Sequence, residues 1–290
     1  MSLSAFPWQL LVVSGSILTS IGQIFNKHQV HKAASLQVST YKYLSGSILI
    51  TSVWLATNGM LPKSWWIFVL YGMSAGFIVT LYTKASRYSL SKSALMSPVT
   101  QIIGIGIAAV VLNEWRVFDL STSGGVQMAL GLSLVPVLMW LFYEKTIEAK
   151  QWSTLMWIVI ICLSIMRVLQ KYFLNTIAPV QLLMFQYWGS LTINLLGLKW
   201  RNHKFFIGKR FAVTGLIQGL LTSTAILLYF TGLKKATLSQ AGLLRLPVIM
   251  TLTILFGLFI FQEFKSMTRK KWLGIGVALV MAVLVVTANH

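Results

Sequence analysis

One segment occurs twice in this chain, and the duplication limits the folds that the chain can adopt. The two copies are Ser89–Glu114 and Thr237–Glu263. Each copy opens with a short polar motif, passes through a proline (Pro98 or Pro247) into an apolar run, and closes on its glutamate. The interval from the proline to the glutamate is the same in both copies. A tandem copy of this kind predicts two halves with the same architecture.

The amino-acid composition places these halves in a membrane. Hydrophobic residues make up 56% of the sequence and charged residues 10%, and the mean hydropathy is +0.76. Soluble domains contain about 25% charged residues. We see no pattern of a cleavable signal peptide, so we expect the first apolar stretch to remain as a span. Ten stretches are long enough to cross a bilayer as helices: 8–30, 35–57, 65–84, 92–112, 122–142, 152–172, 178–198, 210–231, 238–262 and 272–288.

The duplication extends beyond the opening segments to all ten stretches. When the two halves are aligned, Lys27 coincides with Lys171 near the end of the first stretch of each half. Five spans therefore repeat as five spans, and because five is odd, the second set must enter the membrane in the opposite sense. We predict an all-α integral membrane protein of ten transmembrane helices, built from two inverted five-helix repeats at 1–146 and 147–290.

The duplicated segments each run into a last helix that contains glycines, Gly124-Gly125 in the first half and Gly274-Ile275-Gly276 in the second. This pattern resembles the drug/metabolite transporter superfamily, in particular its ten-helix EamA-type members, over nearly the whole chain. The resemblance implies a transporter of small organic solutes. Members of the superfamily move amino acids, sugars, nucleotide sugars and amphiphilic drugs, so the resemblance does not select a substrate.

The sequence leaves open the side of the membrane on which the termini lie. Most Lys and Arg residues fall in the connections after odd-numbered spans, and the positive-inside rule then places both termini outside. The family resemblance implies the opposite, with both termini in the cytoplasm. Ten spans put the two termini on the same side in either case.

Polar side chains within the spans are candidates for a substrate site, because they lose hydrogen bonds to water if they face lipid. Three cations lie more than one helical turn from either end of a predicted span: Lys42, Arg167 and Arg245. Each costs at least about 2.5 kcal/mol to insert, which favours a function, although snorkelling to headgroups or capping of carbonyls would also explain them. We predict that these cations bind substrate together with amides and tyrosines of the spans: Gln23, Asn26, Tyr41, Tyr82, Gln101, Gln186, Tyr187 and Tyr229.

The acidic residues narrow the class of substrate. All five lie at span ends or in connections: Glu114, Asp119, Glu144, Glu148 and Glu263. An interior with cations, amides and tyrosines but no carboxylate suits an anionic or zwitterionic metabolite, with amino-acid-like solutes as the leading expectation. A multidrug or amphiphile exporter of the same superfamily is the alternative. Glu114 and Glu263 are expected to cap the ends of the bundle through basic or backbone partners.

Prolines and small residues predict how the helices bend and pack. Pro98 and Pro247 remove a backbone hydrogen bond and should kink their helices, and we expect them to act in gating when the halves rock in alternating access. Glycines four residues apart let helices approach closely. Two such pairs occur, Gly72-x-x-x-Gly76 and Gly215-x-x-x-Gly219.

Other classes of function have less support from the sequence. The net charge of +19 is scattered over short connections, which indicates contacts with lipid headgroups rather than nucleic acid. We find no nucleotide-binding motif and no nucleophile paired with a base, and His28 and His31 have no third ligand nearby. We therefore expect no enzyme activity, metal or cofactor, and an intramembrane enzyme and a channel remain as alternatives from other classes.

The cellular setting follows from the same features. The partners expected are a small-molecule substrate and the lipid bilayer, most simply that of the cell (inner) membrane. The single cysteine, Cys162, excludes an internal disulfide. We expect a monomer, and the sequence leaves oligomers open.

Overall fold

The structure is a computed structural model that describes residues 5–30, 34–57, 59–88, 97–142, 150–261 and 269–288. Within these residues it contains ten α-helices and a short 3₁₀-helix, Glu114–Phe118. The ten predicted spans correspond one to one to these helices, which confirms the all-α fold. The α-helices are Trp8–Val30 (α1), Ser35–Ala56 (α2), Trp65–Tyr88 (α3), Ser97–Val111 (α4), Ser123–Phe142 (α5), Lys150–Thr176 (α6), Pro179–Trp200 (α7), Lys209–Lys235 (α8), Leu238–Phe261 (α9) and Arg269–Thr287 (α10).

The helices differ in how they divide apolar and polar residues. Long apolar spans lie within α1, α3, α6 and α8, and shorter ones lie within α4, α5, α9 and α10. The second helix of each predicted repeat, α2 or α7, instead carries several buried polar side chains, such as Ser47 and Asn194. Because lipid cannot satisfy such groups, the faces of α2 and α7 that carry them belong in the interior of the bundle.

Equivalent helices of the two repeats run in opposite directions. Along the contact of α2 with α7, Leu36 packs against Gly197, whereas the Trp188 indole N–H donates to the Thr51 hydroxyl at 2.9 Å. The residue number therefore rises along α2 as it falls along α7. The contact of α5 with α10 shows the same opposition, since Gly124 faces Ala288. Opposed pairs of this kind are the geometry of an inverted repeat.

The two repeats interleave in the packed structure. The helix α1 packs against α8 and α9, and its counterpart α6 packs against α3 and α4. These contacts define two helix groups, one of α1, α8 and α9 and the other of α6, α3 and α4, and each group contains helices from both repeats. The helices α2 and α7 pack against each other and join the two groups, since α2 also contacts α8 and α7 also contacts α3.

The predicted glycine seams are confirmed. A Cβ atom on Gly72 of α3 would lie 2.6 Å from the Phe185 carbonyl oxygen of α7, and one on Gly215 of α8 would lie 2.7 Å from Tyr41 Cβ of α2. Gly76 and Gly219 also meet the backbone of the same partner helices. Glycine at these positions lets the backbones approach closely enough for the central helices to pack.

The two repeated prolines differ in how much of their surroundings is described. Pro247 lies inside α9, where it cannot donate a backbone hydrogen bond to the preceding turn. Pro98 is the second residue of α4 as described, and residues 89–96 lie outside the described part of the chain. A third proline within a helix, Pro136 of α5, was not singled out by its place in the repeat.

Candidate functional site

Two helices of the first group bring a cation onto an aromatic ring. Arg245 of α9 places its guanidinium carbon 4.1 Å from the centroid of the Tyr229 ring of α8. A cation over an aromatic face in a desolvated site gains about 2 kcal/mol. The Tyr229 hydroxyl is buried and has no hydrogen-bond partner within the described residues. The Arg245 guanidinium and the unpaired Tyr229 hydroxyl therefore lie close to each other in the interior.

The second helix group contributes another arginine to this place. Arg167 of α6 interacts electrostatically with Tyr229, Arg245 and Tyr82 of α3. Its Nη1 atom is buried, and no described residue accepts a hydrogen bond from it. Two guanidinium groups of like charge repel each other in a medium of low dielectric constant. An anion placed between them would relieve this repulsion.

The acidic side chains that the structure describes are engaged or exposed elsewhere. Glu114 accepts hydrogen bonds from the start of α9 and is not in the cluster. Asp119 is exposed after the 3₁₀-helix, where backbone and side-chain hydrogen bonds from Ser121 lower its pKa. The other three acidic residues, at 144, 148 and 263, lie outside the described residues. Within the described chain, the arginines therefore face tyrosines and not carboxylates.

A row of tyrosines leads from this pair of arginines to Lys42. Tyr71 of α3 lies near both Tyr229 and Tyr43. Tyr43 in turn meets Tyr187 of α7 edge to face, with 5.3 Å between ring centroids. The Lys42 ammonium lies 5.5 Å from the centroid of the Tyr43 ring. The tyrosine row, defined as Tyr187, Tyr43, Tyr71 and Tyr229, thus has the arginines at Tyr229 and Lys42 beside Tyr43.

Amides and hydroxyls complete the surroundings of this cluster. Gln170 of α6 donates a hydrogen bond from Nε2 to the Tyr71 hydroxyl at 3.2 Å. Ser164 of α6 donates to the Thr100 carbonyl oxygen of α4 at 3.0 Å, and the adjacent Gln101 is buried against Gly242 of α9. The cluster therefore lies between the two helix groups, where α3, α4 and α6 meet α8 and α9.

Several predicted site residues lie elsewhere. The Tyr41 hydroxyl donates to the Phe205 carbonyl oxygen at 2.9 Å, in the connection before α8, and the Tyr41 ring packs against Phe205. Gln186 is buried on α7 beside the Gly72 seam, and Gln23 is half-buried on α1. The side chain of Asn26 lies outside the description. Lys42, Arg167, Arg245, Tyr82, Tyr187 and Tyr229 belong to the cluster or to the tyrosine row.

Sequence reasoning missed Tyr71 and Gln170 as members of this site. Gln170 lies on the first helix of the second predicted repeat, and Tyr71 precedes the glycine seam of α3. Both follow from the packing of α3 against α6, in which the Tyr71 ring also meets Phe173 edge to face. A tyrosine beside a close-approach glycine was the available signal, since the glycine places it at a helix–helix contact.

Comparison with known proteins finds a family that matches the second half of the chain. Residues 151–287 match the model of the EamA-like transporter family. The second half of the chain therefore matches that family, which is part of the drug/metabolite transporter superfamily. The match lies inside the second predicted repeat, 147–290. The chain is thus an integral multi-pass membrane protein that transports small molecules.

The whole fold also has a counterpart among solved structures. A chain described as "Crystal structure of protein" superposes with a TM-score of 0.75, covering 96% of this chain and 98% of its own length. Sequence identity is 13%, so the likeness shows the fold alone. A search of curated proteins finds no match.

Proposed function

We propose that the chain is a secondary transporter that moves a small anionic or zwitterionic metabolite across the membrane by alternating access. The observation that carries this proposal is the convergence of Arg167 and Arg245 on Tyr229, with no described carboxylate among them. Guanidinium groups bind carboxylates and phosphates through paired hydrogen bonds, and the two arginines belong to different helix groups.

An amino-acid-like solute fits both parts of the cluster. Its carboxylate would bind the arginines, and its ammonium group would lie on the faces of Tyr71 and Tyr43, since aromatic faces attract cations. An organic cation without an acidic group has no described carboxylate to bind at the cluster, which disfavours the multidrug alternative. The lack of a described carboxylate there also favours exchange or facilitated diffusion over coupling to a proton.

Alternating access is supported by the position of the cluster between the two helix groups. Arg245 and Tyr229 belong to the group of α1, α8 and α9, whereas Arg167 and Tyr82 belong to the group of α6, α3 and α4. A rocking motion of one group against the other would expose the cluster to each side in turn. A single chain supplies both groups, so we propose a monomer as the working unit, in the cell (inner) membrane.

Uptake of labelled solutes into proteoliposomes tests the substrate class. The panel should include anionic, zwitterionic and cationic solutes of similar size. We expect saturable uptake of an anionic or zwitterionic solute. Transport restricted to organic cations would overturn the proposed substrate class.

Replacement of the cluster cations tests the site itself. Arg245→Met and Arg167→Met should each reduce uptake at low substrate concentration at least roughly tenfold, because each removes a charge-assisted hydrogen bond. Arg245→Lys should retain part of the activity, since it keeps the charge without the paired geometry. Lys235→Met is the control, because Lys235 is an exposed cation at the end of α8. Equal uptake by all four variants would show that the two arginines do not bind substrate.

A further inference from the structure

One end of the bundle is fastened by a carboxylate that binds the start of a helix from another group. Glu114 follows α4 and is buried. Its Oε1 atom accepts a hydrogen bond from the Leu238 backbone N–H at 2.8 Å, and its Oε2 atom accepts one from the Ser239 N–H at 2.9 Å. The Ser239 hydroxyl adds a third hydrogen bond to Oε2 at 2.8 Å. A carboxylate in this position accepts hydrogen bonds from N–H groups that have no partner within the helix. Its negative charge is also stabilised by the positive end of the α9 dipole.

A lysine holds the preceding helix end next to this carboxylate. Lys171 of α6 donates from Nζ to the Leu233 carbonyl oxygen at 2.9 Å and to the Ala236 carbonyl oxygen at 2.7 Å, at the end of α8. An ammonium group is favourable at the negative end of a helix dipole. Lys171 also attracts Glu114 electrostatically. The end of α8 and the start of α9 are therefore bound by opposite charges that stabilise each other.

All of these bonds cross between the two helix groups. Glu114 and Lys171 extend from α4 and α6, whereas the backbone groups that they bind belong to α8, α9 and the turn between them. Lys234 adds a weaker crossing contact, donating to the Ile177 carbonyl oxygen after α6 at 3.2 Å. By contrast, Lys235 donates to the Phe6 carbonyl oxygen just before α1, and this contact stays within one group. The contacts at this end thus divide into those that resist separation of the groups and those that do not.

We propose that Glu114 and Lys171 form a latch that holds this end of the transport path closed and must release each time the end opens. The inference rests on the proposed alternating access, in which the groups rock against each other. The latch binds α9 less than two turns before Arg245, so opening it moves the same helix that carries the substrate arginine. Glu114 and Lys171 act here as positioning residues, since they set how the groups meet without touching the cargo.

Labelling of an engineered cysteine by a membrane-impermeant maleimide tests the latch without any substrate. The chain has one native cysteine, so a Cys162→Ser background leaves only the reporter. Ala241→Cys is a suitable reporter, because Ala241 is fully buried two residues after the latched Ser239. Glu114→Gln and Lys171→Met should each raise its labelling rate about tenfold, which corresponds to about 1.4 kcal/mol in the closing equilibrium. Lys235→Met should leave the rate unchanged.

A second reporter separates release of the latch from loss of the fold. Val38 is buried near the start of α2, at the opposite end of the bundle. In the Val38→Cys background, latch variants should label no faster than the parent. Equal acceleration at both reporters would mean a purely structural role and would overturn the latch. Unchanged labelling at Ala241→Cys in both latch variants would overturn it as well.

Conservative variants and transport complete the test. Glu114→Asp keeps the charge and should restore part of the slow labelling that Glu114→Gln loses. In uptake assays, the latch variants should lower the maximal rate while leaving KM within about twofold, because they do not touch the substrate. The labelling experiment needs no substrate. It can therefore support the latch even if uptake assays contradict the proposed substrate class, and the reverse result is also distinguishable.

Discussion

The aromatic ring and the hydroxyl of Tyr229 have different surroundings. The ring covers the Arg245 guanidinium, whereas the hydroxyl is buried without a hydrogen-bond partner within the described residues. A buried hydroxyl without a partner is costly, by about 1–3 kcal/mol. A bound solute with an acceptor atom would remove that cost. Substitution can therefore separate the contribution of the hydroxyl to transport from that of the ring.

Tyr229→Phe should therefore raise the KM for the transported solute roughly fivefold to tenfold while the protein stays folded. Tyr229→Leu should lower uptake further, because it also removes the ring that holds Arg245. Initial uptake rates over a range of substrate concentrations measure both effects. The control is Tyr172→Phe, at an exposed tyrosine of α6. A KM unchanged in Tyr229→Phe would mean that the hydroxyl does not contact substrate.

Two neighbouring tyrosines of α2 show why single residues are hard to place from the sequence. Tyr41 and Tyr43 are both buried on α2, but Tyr41 reaches the connection before α8, and Tyr43 joins the tyrosine row. Hydropathy gives the length of a span but not its rotation, since α2 carries apolar side chains both in the core, such as Ile50, and on its exposed face, such as Ile48 and Leu55. Arg245 was easier to identify, because a cation in the middle of a span demands an interior position.

At the scale of the elements, the limits of the helices could be predicted well because each span must match the thickness of the bilayer. Glycine seams were predictable for a similar reason, since their four-residue spacing already defines a helix face. The interleaving of the repeats could not be predicted, because it depends on contacts such as that of Gly15 on α1 with Ala225 on α8. Those contacts join residues that are far apart in the sequence.

The glycine seam between α3 and α7 makes a direct prediction about stability. Gly72→Ala should destabilise the protein by about 1–3 kcal/mol, because its Cβ would lie 2.6 Å from the Phe185 carbonyl oxygen. Gly106→Ala is the matched control, since nothing lies within 4 Å of a Cβ at that position. This control should be neutral or stabilising by up to about 1 kcal/mol, as alanine favours the helix. Thermal unfolding of both variants in detergent measures the difference, and equal melting temperatures would contradict the seam.

The proline within α9 makes a prediction about rate. Pro247→Ala restores a backbone donor toward the Leu243 carbonyl oxygen and should stiffen the helix that carries Arg245. We expect a maximal uptake rate lowered at least about threefold, with KM nearly unchanged, because bending and not binding is affected. Pro136→Ala in α5 is the control, since α5 contributes no residue to the cluster. Equal slowing in both variants would show that Pro247 has no specific role in the transport cycle.

At the scale of the whole molecule, the number of helices fixes a relation between the termini. Ten spans require both termini on the same side, whichever side that is, and the charge bias and the family resemblance differ only on which one. Reporter tags whose activity depends on the compartment should therefore give the same result at both termini. Opposite results would show that one of the ten helices does not cross the membrane.

The packing of α1 against α8 and α9 also has a consequence for biosynthesis. A ribosome delivers α1 to the membrane long before Lys209–Lys235 has been made, so Gly15 and Gly22 have no partner helix while the first half is inserted. The polar interior of the first five helices must remain shielded until the last third of the chain arrives. Chains that stop before Lys209 would therefore present that unpaired surface of α1 to the quality-control proteases of the membrane.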